Sequence, residues 1–197
     1  MILNYLLATR PIIFAGPSGV GKGTIINHLM EKYKDQFAYS VSHTTRKPRE
    51  GEVDGVDYIF VSREKMEKDI KDGKFIEYNY IHGNIYGTSY EALENVTKSG
   101  KICIFDVNLD ASLAMKQKNL NPYIIVLLPR NLDVLESRIR GRGQDDENSI
   151  KTRLKTAETE IKVINENKDK WDLIIVNDVL EDTLKTIEEH LFGTQEI

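Results

Sequence analysis

Residues 16–24 read GPSGVGKGT. The spacing Gly16-x4-Gly21-Lys22 fits a loop that wraps nucleotide phosphates. Such a loop brings its backbone close to phosphate oxygens and uses positive φ angles so that successive N–H groups point inward, which Gly16, Gly19 and Gly21 permit. The flanks strengthen the match. The apolar run PIIFA (11–15) precedes the loop as a strand. Ile25, Ile26, Leu29, Met30 and Tyr33 follow at helical spacing, so the loop opens onto a helix N-terminus whose dipole favours an anion. Lys22 is then placed to reach the outer phosphates. A tight glycine turn with a solvated lysine is the bland alternative. The pattern departs at one position: the residue after the lysine is Gly23, and a hydroxyl appears only at Thr24. Direct ligation of Mg²⁺ is therefore in doubt. Mg²⁺ keeps several waters and needs few protein anchors, so Thr24 and Asp106, which closes the run KICIFD, are expected to hold it through water. For Asp106 the alternative is a turn or helix-capping role.

Outward from the loop, short apolar runs suited to buried strands recur at FAYSV (37–41), KICIF (101–105), YIIVLL (123–128) and DLIIV (172–176). Helical patterns lie between them: Leu109, Leu113 and Met115, then Leu184, Ile187 and Leu191. Strand alternating with helix predicts right-handed crossovers and a mostly parallel sheet covered on both faces. Two segments break the alternation. Residues 42–90 are rich in Gly, Tyr and charge, with strand-like YIFV (58–61) and FIEYNYI (75–81) around the helical stretch REKMEKDIKDG, and read as an inserted mixed subdomain. Residues 131–162 carry Arg138, Arg140, Arg142 and Arg153, followed by Ile150, Leu154, Ala157, Ile161 and Ile164 on one helical face. They read as a mobile arm.

The 197 residues carry 27 basic and 31 acidic side chains, a net charge of −4, which offers no chain-wide attraction to nucleic acid or anionic membranes. The basic run ESRIRGRG is met at once by QDDEN, which opposes an RNA-binding reading. The one cysteine, Cys103, sits in an apolar run and reads as a buried small hydrophobe in a reducing compartment. The opening MILNYLL is short and lacks a basic flank, so no signal peptide is expected, and no run approaches the ~18 apolar residues of a membrane span. The cytoplasm is the expected location.

In SVSHTTRKPREGEVDGVDYIF (40–60), Arg46 and Arg49 lie three apart, with Pro48 favouring an extended path between them. Two forked guanidinium groups can grip one phosphate, and Tyr58 and Tyr86 can add hydroxyl donors. A solvated charge pair and ordinary tyrosine packing are the alternatives.

With these motifs in place the chain resembles a guanylate kinase. GPSGVGKGT, SHTTRKPREGEVDGVDY, FIEYNYIHGNIYGTS, the strand ending CIFDV, the arm ESRIRGRG and the closing IIVND occur in that family's order over roughly residues 8–192. The resemblance implies an α/β fold: a P-loop NTPase-like five-stranded parallel sheet core covered by helices, with an inserted mixed α/β nucleotide-acceptor subdomain and a helical lid. The implied division is a single kinase domain over 1–197, with 8–41, 91–130 and 163–197 as core, 42–90 as the GMP-binding subdomain and 131–162 as the lid. The implied reaction moves the γ-phosphoryl group of ATP to GMP with Mg²⁺, giving ADP and GDP. By the same resemblance Gly16, Pro17, Ser18, Gly19, Val20, Gly21, Lys22, Gly23, Thr24 and Asn177 bind ATP. Arg46, Arg49, Tyr58 and Tyr86 hold the GMP phosphate, Ser42, Glu77 and Thr88 read the guanine, and Asp106 completes that site. Lys22 with the lid arginines Arg138, Arg142 and Arg153 would be catalytic, whereas Arg140 points elsewhere by helical phase.

The base assignment has its own chemistry. Guanine offers donors at N1 and N2 beside the O6 acceptor, so a carboxylate at Glu77 accepts from both nitrogens while a hydroxyl donates to O6. AMP would leave those groups unpaired. The alternatives are an exposed strand position for Glu77 and a helix cap for Thr88, since Thr88-x-x-Glu91 reads as a capping box. Two departures from the family stand out. Gly23 replaces a frequent serine, in a GKGT form that also resembles adenylate kinases, and Asn108 stands where another acid is common; both predict weaker metal binding. The rival functions are a kinase for dGMP or AMP and a non-catalytic guanylate-kinase-like protein-binding module. The expected partners are small-molecule nucleotides, with no nucleic acid and no membrane, and the expected state is a monomer or simple homodimer. GMP is expected to close 42–90 over the core and ATP to bring 131–162 down.

Overall fold

The computed structural model describes residues 10–193 apart from 82, 119, 142 and 144. The described chain runs through β1 (Ile12–Ala15), α1 (Lys22–Lys32) and β2 (Phe37–Tyr39), then through a smaller region of β3 (His43–Thr44), β4 (Ile59–Phe60), α2 (Arg63–Lys71), β5 (Phe75–Ile81) and β6 (Asn84–Ser89). It returns by α3 (Tyr90–Lys98), β7 (Ile102–Asp106), α4 (Leu109–Gln117) and β8 (Tyr123–Leu128), continues into α5 (Leu132–Gly141) and α6 (Glu147–Glu166), and finishes with β9 (Leu173–Val176) and α7 (Leu180–Phe192).

The five apolar runs form one parallel sheet in the order β2-β7-β1-β8-β9, as the alternation of strand and helix predicts. β1 is central, and its four residues are completely buried. Alternate side chains serve opposite layers. Ile12 and Phe14 pack with Ile25 and Leu29 of α1 and Leu184, Ile187 and Leu191 of α7. Ile13 and Ala15 pack on the other face with Val96 of α3 and Leu109 and Met115 of α4. Each of these large side chains stabilises the fold by about 1.5–3 kcal/mol on burial. Because all five strands run the same way, their carboxyl ends share one edge, where open α/β sheets place ligand sites.

The region 42–90 makes a second, mixed sheet in the order β4-β3-β6-β5, with Met66, Phe75 and Ile85 buried beneath it. β3 and β6 carry no strand signal of their own. β3 is two residues long, and β6 contains Gly87, where a Cβ would lie 2.7 Å from the Glu77 carbonyl oxygen. The glycine that hides the strand is what lets β5 and β6 approach. Thr88 does not cap the helix that follows: Ser89 is the N-cap, its side chain accepting from the Ala92 N–H. Thr88 is fully buried and turned the other way.

The arm 131–162 is packed down. Leu135 and Ile139 of α5 and Ile150 and Ala157 of α6 join the cluster that holds α1, whereas Ile164, further along α6, joins the cluster on the opposite face. The 20-residue α6 therefore spans ~30 Å across the carboxyl edge of the sheet, through the expected boundary at 162. No described helix is long and apolar enough to cross a membrane.

Candidate active site

One cleft of about 1140 Å³ lies between the carboxyl edge of the main sheet, the small sheet and α6. The glycine loop forms its floor. Gly16, Gly19 and Gly21 all have positive φ, at 131°, 90° and 106°. A Cβ on Gly16 would lie 2.3 Å from the Leu127 carbonyl oxygen, and one on Gly21 would lie 2.5 Å from Asn177 Nδ2. A Cβ on Gly23 would meet no atom of the described residues within 4 Å, so its missing side chain leaves room at the helix N-terminus. Gly23 lines the cleft, whereas Thr24 is exposed and does not.

Lys22 lines the cleft with its ammonium already engaged. Its Nζ donates to Gly16 O at 2.8 Å and lies 3.8 Å from Asp106 Oδ1, at the end of the neighbouring β7. Burial raises the Asp106 pKa, and Lys22 offsets part of the rise. Asn108 also lines the cleft and is the N-cap of α4, its side-chain oxygen accepting from the Ala111 N–H.

The lid arginines divide. Arg138 donates to three backbone carbonyls, Val20 O at 3.3 Å, Asn177 O at 2.9 Å and Asp178 O at 3.3 Å, and thus ties α5 to the loop and the end of β9. Asn177 donates from Nδ2 to Val20 O at 2.8 Å, bracing the loop from behind, and its buried Oδ1 has no hydrogen-bond partner among the described residues. Both residues support the loop instead of projecting into the phosphate space. Arg153 does line the cleft, donating to Ser18 Oγ at 2.6 Å and pairing with Asp145 at 3.0 Å. Arg140 is exposed and pairs with Glu136 and Glu147, in keeping with its helical phase. Arg142 lies outside the described residues.

In the small sheet, Arg46 and Arg49 do not converge as two free forks. Arg46 makes a bidentate pair with Glu52, at 2.9 and 2.7 Å, beneath the rings of Tyr58 and Phe60. The Arg49 backbone N–H also donates to Glu52, at 2.6 Å. Hydrogen bonds from Arg46 first, then from Arg49, hold the Glu52 pKa down to about 2. Glu52 thus occupies Arg46 as an oxyanion would. The Arg49 side chain faces the cleft beside Tyr58 and Tyr86, whose ring centroids are 5.9 Å apart.

At the far end, Thr88 Oγ1 donates to Glu77 Oε1 at 2.7 Å and Asn79 Nδ2 to Oε2 at 3.0 Å. Burial raises the Glu77 pKa, and the Thr88 hydrogen bonds lead the opposing effects. Ser42 also lines the cleft. Asn79 and Glu160 are among the lining residues that the sequence reading did not assign to the site. Glu160 belongs to a polar face of α6 with Ser149, Thr152, Arg153 and Thr156, whose three- and four-residue spacing was available in the sequence opposite the apolar stripe. Burial and Asp110 raise the Glu160 pKa, while Lys22 lowers it.

Loop, sheet and cleft together define a phosphate-loop nucleotide-binding protein of the α/β class. The family model for guanylate kinase matches residues 8–194, and the chain belongs to the guanylate kinase family. It is 41% identical to human guanylate kinase over 182 residues, covering 92% of each chain. It is 46% identical to guanylate kinase 1 of Arabidopsis thaliana over 93% of this chain, but spans only 47% of that longer relative. The crystal structure of guanylate kinase from Anaplasma phagocytophilum superposes with a TM-score of 0.67 at 26% identity, covering 93% of this chain and 85% of the other. An SH3-kinase fragment of tight junction protein 3 shares the fold alone, at 11% identity and a TM-score of 0.51, with 96% of this chain and 58% of the other covered.

Proposed function

We propose that the protein transfers the γ-phosphoryl group of ATP to GMP, releasing ADP and GDP. One observation carries the reading: Glu77, anchored at both carboxylate oxygens, shares a cleft with a glycine loop in phosphate-binding conformation. Backbone N–H groups of residues 16–24 cradle the donor phosphates, and Lys22 exchanges the Gly16 carbonyl for a phosphate oxygen. Arg153 follows from Ser18 to the migrating group. Arg46 exchanges Glu52 for the GMP phosphate, joined by Arg49, Tyr58 and Tyr86. Glu77 accepts from guanine N1–H and N2–H. The Thr88 proton is spent on Glu77, so the donor to O6 falls to Ser42. Arg138 and Asn177 keep the loop in shape between turnovers.

The residues present fit a hydrated Mg²⁺: Gly23 leaves room at the loop, and the Asp106 carboxylate lines the same cleft. Such an ion would be carried in with the donor and held through water. When bound, the ion neutralises charge on the β- and γ-phosphates.

The test is ADP release from Mg-ATP with GMP, dGMP, AMP, CMP and UMP in parallel, with Lys22→Ala as the blank. Turnover confined to guanine acceptors supports the assignment. Preference for AMP overturns the base reading, and silence with every acceptor in a folded protein that binds GMP favours a non-catalytic binding module.

A further inference from the structure

β5 is an edge strand, and its alternation turns Glu77, Asn79 and Ile81 towards the cleft while Tyr78 and Tyr80 are exposed on the other side. The register sets Thr88 opposite Glu77 and Tyr86 opposite Asn79, so these four side chains form a square joining the base end of the cleft to its phosphate end. Within it the Glu77 carboxylate is gripped at both oxygens, by the Thr88 hydroxyl at 2.7 Å and the Asn79 amide at 3.0 Å. A carboxylate only accepts, so the Asn79 amide must present its NH₂ group to Oε2. The terminal torsion of a glutamate is broad, and one anchor leaves it free to turn; two anchors fix the carboxylate plane and aim its remaining lone pairs.

We infer that Asn79 is a positioning residue for base recognition: by holding Glu77 Oε2 it keeps the carboxylate plane set to receive two parallel N–H donors, and so favours a 2-amino-6-oxopurine over a 6-oxopurine lacking the amino group. This rests on the guanine reading of the cleft given above. Thr88 alone holds one oxygen, which suffices for a purine offering one donor. Both donors of guanine are met together only when the plane is fixed. Asn79 therefore contributes more to GMP than to IMP, although it needs no contact with either. Burial of Glu77 raises the effect of each anchor, because fewer waters are at hand to replace a lost donor.

The experiment measures kcat and KM for GMP and IMP, at saturating Mg-ATP, in the wild type, Asn79→Ala and Asn79→Asp, with thermal melts to confirm folding. Loss of a donor to a charged acceptor is expected to raise KM for GMP about 10-fold in Asn79→Ala, with KM for ATP unchanged. The GMP-over-IMP ratio of kcat/KM should narrow by about threefold or more, since IMP engages one donor only. Asn79→Asp has the same shape but no donor and adds a negative charge beside Glu77, so it should be worse than alanine for GMP. Variants that keep both the wild-type KM for GMP and the wild-type ratio overturn the inference, as does an equal loss for GMP and IMP. A wild type that turns over no GMP defeats the guanine reading itself and this inference with it; a GMP-selective wild type with unaffected variants defeats the inference alone.

Discussion

Alanine at Gly16 puts a methyl group where two independent constraints forbid one. The backbone there has φ of 131°, a region L-residues rarely adopt, at a cost of about 1–3 kcal/mol. The added Cβ would also lie 2.3 Å from the Leu127 carbonyl oxygen. That oxygen belongs to β8, which is paired on both sides, to β1 and β9, and cannot retreat without disturbing the sheet. Overpacking of this kind costs about 1–3 kcal/mol more, so Gly16→Ala should destabilise the protein by about 2–6 kcal/mol. Gly23 is the internal control. It lies in the same motif, but it is helical, and its Cβ would meet no described atom within 4 Å. Gly23→Ala should leave stability unchanged or raise it by up to about 1 kcal/mol through helix propensity. Urea unfolding followed by circular dichroism reads both changes, and GMP-dependent ADP release reads the loop. A Gly16→Ala protein with the wild-type midpoint, or a Gly23→Ala protein destabilised as much as Gly16→Ala, would show that neither the backbone angle nor the Leu127 carbonyl constrains the loop.

Other consequences follow from the cleft. Burial raises the Glu77 pKa above its ordinary 4.5, so as pH falls the carboxylate gains its proton earlier than an exposed glutamate. KM for GMP should accordingly rise on acidification before pH 4.5 is reached, in an inflection absent from Glu77→Gln; identical profiles for the two proteins would contradict it. Arg153 reaches Ser18 from α6, and Arg153→Ala should lower kcat by about 10²- to 10³-fold with little change in melting temperature. A kcat within threefold of wild type, on the scale of ordinary surface changes, removes Arg153 from catalysis. Gly23→Ser places a hydroxyl in open space beside the cleft. It should reduce the magnesium concentration giving half-maximal rate several-fold, and an unchanged magnesium titration would show that the missing hydroxyl is immaterial.

The main sheet was legible because its strands are short apolar runs, of which YIIVLL coincides with β8, and in the small sheet FIEYNYI coincides with β5. β6 was not, because Gly87 serves a close backbone approach and breaks the strand signal. The capping box, the alternative reading of Thr88, is not used. Ser89 is an equally good cap one residue on, and Thr88, opposite Glu77 in the register, is claimed by the carboxylate. Glycine spacing gave the loop, but nothing in a linear pattern says that Lys22 rests on Gly16, that Glu52 occupies Arg46, or that Arg138 braces carbonyls. Those are contests between nearby acceptors, decided by distances of a few ångströms that only the folded chain sets. Asn79 escaped notice because an amide on a strand carries no motif. Its meaning appears only when alternation and register bring it to Glu77.

If the one cleft passes a phosphoryl group directly between two nucleotides, as proposed, phosphorus NMR of the protein with Mg-ATP and GMP will show it, because every phosphorus atom is followed at once. The γ-signal of ATP should disappear as the β-signal of GDP grows in equal amount, with no appreciable inorganic phosphate, and AMP in place of GMP should yield no such transfer. Inorganic phosphate accumulating without GDP, or equal transfer to AMP, would contradict the proposal.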